Sequence, residues 1–212
     1  MHRFHQFFLG TLVIATVGLG MARPASAGTM LDIYLGGAFT DESTLSIDTF
    51  AVSADFQADW DSSVTGGIRV GHWFAGSLRW FGLAADLSYF RPQFEGGLAE
   101  LHMVPITPMV MLRIPVLQAE GYEAGRLQPY AAVGPGLFTA VLTSDVVSGA
   151  QVGFDVGLDV RAGLSILLAP KFGLFAEYRR TDVDLKVTDT GGDKLRTTLK
   201  TDHINAGIAF RF

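Results

Sequence analysis

The sequence predicts an all-β fold: an eight-stranded antiparallel transmembrane up-and-down β-barrel. Three observations predict it. Apolar and polar residues alternate with period two in segment after segment, the polar face is built from small residues and charges of both signs with almost no lysine, and long connectors alternate with short ones.

The chain of 212 residues opens "MHRFHQFFLGTLVIATVGLGMARPASAGT", where Arg3 precedes an apolar and glycine run from Phe7 to Gly20 and then Ala25-Ser26-Ala27. A basic start, a short apolar core and small residues at a cleavage-type site are the signature of a secretory leader. The run of 14 residues falls short of a spanning helix, so residues 1–27 are expected to be removed after Ala27, with Ala25 and Ala27 as the small residues of the cleavage site. Residues 28–212 then form one domain. Of 16 Lys+Arg, Arg3 and Arg23 leave with the leader, so 14 basic residues face 21 acidic ones and nothing invites nucleic acid. The absence of cysteine excludes disulfide staples and thiol chemistry.

Eight strands are expected at about 30–39, 63–73, 80–90, 100–114, 128–140, 152–168, 172–186 and 200–212. The second, "VTGGIRVGHWF", sets Val64, Ile68 and Val70 against Thr65, Gly67, Arg69 and Gly71. In the third, Phe81, Leu83, Ala85, Leu87 and Tyr89 oppose Gly82, Ala84, Asp86 and Ser88. The fourth and fifth carry Pro105, Pro108 and Pro135, which cannot donate to a ladder, so bulges or breaks are expected there. The sixth, "FDVGLDVRAGLSILL", alternates most clearly, the seventh sets Phe172, Leu174, Ala176 and Tyr178 against Gly173, Glu177, Arg179 and Thr181, and the eighth ends "NAGIAFRF". Connectors after the first, third, fifth and seventh strands are long and those after the second and sixth short. "PVLQAEGYEAGRL", after the fourth, breaks the pattern and reads as a mobile excursion on the short-turn side.

Soluble sandwiches also alternate, so the composition of the polar face decides its direction. Glycine, alanine, serine and mixed charges suit a narrow lumen, and the apolar face then meets lipid. Aromatics near strand ends (Phe39, Phe74, Phe81, Tyr89, Phe138, Phe154, Phe172, Phe210 and Phe212) are expected in interfacial girdles. If "LAPKF" makes a tight hairpin near Pro170, Arg161 falls opposite Arg179 with Asp159 and Glu177 on the diagonals. These four residues are expected to form an ion network that closes the lumen.

The ending "NAGIAFRF" resembles the C-terminal assembly signal of bacterial outer membrane β-barrels, with Asn205, Gly207, Phe210 and the final Phe212 at the matching positions. The whole of 28–212 resembles the small eight-stranded outer membrane barrels, which include OmpA-like, OmpX-like and opacity-type surface proteins; "RLQPYAAVGPGL" and "GLFAEYRRT" look like strand patterns of that family. The resemblance implies integral residence in the outer membrane of a Gram-negative-type bacterium. Its implied partners are outer membrane lipid and lipopolysaccharide, with the barrel assembly machinery and periplasmic chaperones during biogenesis. It does not imply an activity, because members differ in function on one scaffold.

No catalytic, cofactor-binding or metal residues are assigned. "HINA", His203 to Ala206, resembles a lipid A deacylase segment only superficially, because Asn205 stands where that family needs a nucleophilic serine. His72, His102 and His203 are scattered over three strands, and Asp182, Asp184, Asp189 and Asp193 lack the spacing of a calcium loop. The longest connector mixes acids with Leu45, Ile47, Phe50, Phe56 and Trp60 and is expected to extend the barrel as a hairpin. The expected role is non-enzymatic: a structural or surface-interaction barrel acting through its long loops on an unidentified ligand. A narrow channel or a lipid A modifying enzyme is the alternative.

Overall fold

The computed structural model describes residues 28–48, 53–94, 99–144, 151–188 and 194–212. Ala25 and Ala27 therefore lie outside the described residues, as do Phe50, Asp189 and Asp193.

In chain order the strands are β1 (Gly28–Thr40), β2 (Ser43–Asp48), β3 (Ser53–Ala58), β4 (Trp60–Asp61), β5 (Ser63–Trp73), β6 (Phe81–Phe90), β7 (Gln93–Phe94), β8 (Ala99–Arg113), β9 (Leu127–Ser144), β10 (Gln151–Ala169), β11 (Phe172–Thr188) and β12 (Lys194–Arg211). Eight of them are staves, running β1-β5-β6-β8-β9-β10-β11-β12, and β1 pairs antiparallel with both β5 and β12. That last pairing closes the sheet, so every stave finds backbone partners on both sides and the wall offers no open edge to lipid.

Outward-facing residues are apolar around the wall: Leu35, Ile68, Leu83, Ile106, Val133, Leu164 and Ile208 are all exposed. Phe74 stacks on Phe81 and Phe172 meets Phe210 edge to face near the short-turn end, while Phe39, Tyr89, Phe154 and Tyr178 are exposed toward the other. Phe138 departs from the expected girdle. It is 1 % exposed and points into the lumen, because its neighbour Leu137 takes the outward position and Gly136 and Gly157 leave room for its ring.

The prolines do not shift the register. β8 pairs with β9 in the same register before and after a gap at Thr107–Met109, and with β6 on either side of a gap near Pro105. At Gly134 the chain passes so close to the Pro108 carbonyl that any Cβ would collide with it.

Beyond the membrane-facing belt the staves continue as a tower. β9 to β12 run 17–19 residues each, longer than the roughly 9–11 that a crossing needs. β12 begins at Lys194 and not near 200, because its ladder with β11 continues to the Thr188–Lys194 pair; on its other side β2 pairs with Lys194–Thr197, and β3 pairs with β2. The longest connector thus forms a hairpin added to the sheet, and Trp60 Nε1 donates to Ser43 Oγ across its base at 2.8 Å.

The segment after β8, expected to be a mobile excursion, is tied down instead. Val116 and Leu127 exchange backbone hydrogen bonds, Arg126 N donates to Leu117 O, and Leu167 N reaches Arg126 O at 2.8 Å. Gly125, at φ +83°, permits this return where a side chain would strike Val116.

Candidate functional site

Alternation aims one residue in two at the lumen, and at mid-height those residues carry charge. The tight turn at Pro170–Lys171, flanked by a register shift between Leu167 and Ala169, sets Arg161 opposite Arg179. Arg161 Nε and Nη2 donate to Asp159, both at 2.9 Å, and Nη1 and Nη2 clasp Asp86 at 2.9 and 2.8 Å; Nη1 also reaches Glu177 Oε1 at 3.3 Å. Arg179 pairs with Asp159 at 2.8 Å and donates to Ser88 Oγ at 2.8 Å. The structure brings the four residues Asp159, Arg161, Glu177 and Arg179 into one network.

That network is larger than adjacent-strand reasoning reaches. Arg69 spans the lumen from β5 to Glu177 on β11 at 2.6 Å, while its Nε donates to Asp32 on β1 at 3.0 Å. Tyr130 donates to Glu177 at 2.8 Å, Tyr34 to Asp86 at 3.0 Å, and Thr107 to Asp159 at 3.1 Å. Arg211 on β12 adds a bond to the second Asp32 oxygen at 2.7 Å. All eight staves contribute a member. Four guanidinium groups meet four carboxylates, so the lumen charges cancel.

The sequence offers a partial signal for the additional members. Asp32 and Tyr34 share a face of β1, and Arg69 sits on the polar face of β5. The tyrosines depend on glycines in the neighbouring strand: Tyr34 pairs with Gly67 and Tyr130 with Gly163, and a Cβ on either glycine would press on the tyrosine hydroxyl. Only register, which a single chain does not spell out, reveals such pairs.

Apolar layers enclose the network from both ends. Met30, Trp73, Met109, Met111 and Phe175 lie on the short-turn side. Phe90, Leu101, Met103, Phe138, Leu185 and Leu199 fill the tower side. Arg69, Arg161 and Arg179 are at most 1 % exposed, so the mid-lumen is shut off from bulk solvent. Chemically the arrangement is a charge-balanced ion cluster: Arg161 spends its donors on carboxylates and leaves none for a substrate.

His203 is buried on the lumen side of β12, 3.3 Å from Thr181 Oγ1 and edge-on to Phe90, while His102 hydrogen-bonds Tyr89 on the outside and His72 packs on Phe74. The structure does not bring the three together, and no group of three metal-ligating residues occurs among the described residues. Asp182 and Asp184 belong to β11. Asn205 is buried opposite Gly36 and Glu177, and Gly207 sits between Tyr34 and Phe175, where a Cβ would collide with the Ile33 carbonyl. Phe210 is half-buried, Phe212 is exposed, and the Phe212 amide donates to Thr29 O at 2.9 Å.

Comparison with known proteins agrees with this geometry. OprG, an outer membrane protein from Pseudomonas aeruginosa, superposes with a TM-score of 0.62 at 14 % identity, over 88 % of this chain and 97 % of that one. The outer membrane protein AlkL superposes with a TM-score of 0.59 at 14 % identity, over 92 % of this chain and 95 % of the other. No curated protein sequence matches significantly. At these identities the likeness speaks for the fold. The profile of the outer membrane protein beta-barrel domain matches residues 12–212, nearly the whole chain. The protein is an integral barrel of the Gram-negative outer membrane and belongs to the outer membrane protein beta-barrel domain family.

Proposed function

We propose that this protein is a plugged, non-enzymatic barrel that acts at the cell surface through its tower, as a structural or adhesive element. The observation that carries the reading is the charge-balanced network between two apolar layers. A conducting path needs continuous water, and this lumen fills its middle with paired side chains and both ends with hydrocarbon. In the family's orientation the short turns are periplasmic and the long loops extracellular.

Features of the tower support contact with a partner. On β11 the outward residues turn polar from Arg180 onward, with Asp184 and Lys186 exposed. On adjacent β10 they stay apolar past Gly157, the last residue paired with β11: Val156 is 65 % and Phe154 75 % exposed. Apolar surface of that kind, rimmed by charge, is what an interaction face requires.

Planar-bilayer recording of the refolded protein tests the plug. Silence in the wild type is the expected result, and a current that appears only in Arg161→Ala would identify Arg161 as part of the plug. Steady wild-type conductance would overturn the closed-lumen reading and make transport the function.

A further inference from the structure

The short-turn end holds a cavity of about 310 Å³ between the barrel floor and the connector that follows β8. Arg113, Lys171 and Arg211 line it together with Trp73, Tyr122 and Gln128, and Glu123 contributes an acidic side chain to the wall. Three cations against one acidic side chain is unusual in a chain whose net charge is −5.

Arg113 is 4 % exposed and is held in place on several sides. Its Nε donates to the Arg79 carbonyl at 2.9 Å, Nη1 to Gln128 at 3.3 Å, and its guanidinium lies 4.3 Å from the centre of the Trp73 ring. Gln128 in turn holds the connector through Gly125 O at 2.8 Å. The remaining nitrogen, Arg113 Nη2, has no acceptor among the described residues. The same is true of Trp73 Nε1 and Arg211 Nε. Arg113 also stands near the like charges of Arg211 and Arg79. Buried donors are normally satisfied; Arg179 Nε in the sealed mid-lumen also lacks an acceptor, but these three orphans belong to residues that line one cavity, in a field of like charge that an anion would offset.

We propose that this cavity is a binding site for a small organic anion: a phosphate or carboxylate head held by Arg113, Arg211, Lys171 and the Trp73 indole N–H, on an apolar or aromatic body. Guanidinium groups suit such heads because their planar donors match two oxygens at once. The body follows from Trp73, Tyr122, Leu167 and Pro170 in the walls and from a volume at the lower end of small-molecule sites. Arg211 serves both places: it lines the cavity while its Nη1 is committed to Asp32 in the lumen network.

The test is an NMR titration of ¹⁵N-labelled protein refolded in a neutral maltoside detergent, reading the three indole N–H resonances, with Trp73 assigned from Trp73→Phe. Phenyl phosphate is expected to move the Trp73 resonance saturably and leave Trp60 and Trp80 in place. Arg113→Gln is expected to weaken binding about tenfold or more, the loss of one charge-assisted hydrogen bond. Lys171→Gln, in an exposed turn where folding is not at issue, is expected to weaken it less. Phenol moving Trp73 as effectively as phenyl phosphate would overturn charge recognition, and inorganic phosphate binding equally tightly would overturn the apolar body. No saturable shift, or an unchanged affinity in both variants, would overturn the site. In nanodiscs, a shift on adding phosphatidylglycerol assigns the head to lipid, and a shift with phenyl phosphate alone assigns it to a soluble anion; either supports the site.

Discussion

Replacing Arg161 with leucine should strand a single carboxylate, although Arg161 touches three. Asp159 keeps Arg179 at 2.8 Å and Thr107, and Glu177 keeps Arg69 at 2.6 Å and Tyr130. Asp86 loses its ion pair and retains the Tyr34 hydroxyl. Breaking a buried pair from one side costs about 3–5 kcal/mol, because the partner stays desolvated, so the loss should be about one such unit and not three. In urea, at a slope of about 2 kcal/mol per M, the unfolding midpoint should fall by about 2 M. The double variant Arg161→Leu/Asp86→Asn leaves three guanidinium groups facing three carboxylates and should recover about 2 kcal/mol of that loss. Tryptophan fluorescence in detergent, followed from both the folded and the unfolded side, measures all of this. An unchanged midpoint in the single variant, or a double variant no more stable than the single, would refute the pairing argument.

Other perturbations separate lumen from lipid face and tower from barrel. Phe138→Ala should destabilise the barrel by about 3–5 kcal/mol by leaving a cavity in the upper apolar layer, a cost that Leu137→Ala at the outward position should not approach; the same urea series compares them. Gly134→Ala should impair refolding, seen as a smaller folded fraction on cold gel electrophoresis, since the Pro108 carbonyl cannot yield. Replacing 43–58 with a short turn should leave the stability within about 1 kcal/mol of wild type while abolishing self-aggregation of cells that display the protein, if the tower is adhesive. The mass of the exported protein should correspond to a chain starting at Gly28; retention of the first 27 residues would contradict the leader reading.

Much of the fold was legible because the constraint that produces it is local. A wall between lipid and a crowded lumen forces a two-residue repeat, and the turn at Pro170–Lys171 together with the bulge between Leu167 and Ala169 fixes which arginine faces which. Asp159, Arg161, Glu177 and Arg179 sit on adjacent strands, so hairpin geometry was enough to group them. The contact from Arg69 to Glu177 was not legible, because β5 and β11 are not neighbours and meet only across the closed barrel. Phe138 misled for another reason. In "GPGLFT" two apolar residues adjoin, either could face lipid, and the choice falls to the space above Gly136 and Gly157. The pairing of β12 with β2 joins residues some 150 positions apart, and alternation within one segment carries no trace of it.

Drawing one member of the ion network from every stave makes the cluster a proofreader of assembly. Asp32 on β1 and Arg211 on β12 meet only once the seam has sealed, so an open sheet leaves Arg211 without its carboxylate while Asp32 keeps Arg69. A slip of one residue in any stave would also turn its network member outward, and where that member is an arginine, presenting it to the middle of the membrane costs about 2–4 kcal/mol. Misregistered barrels are thereby penalised twice, by a gap among the lumen charges and by an ion in lipid.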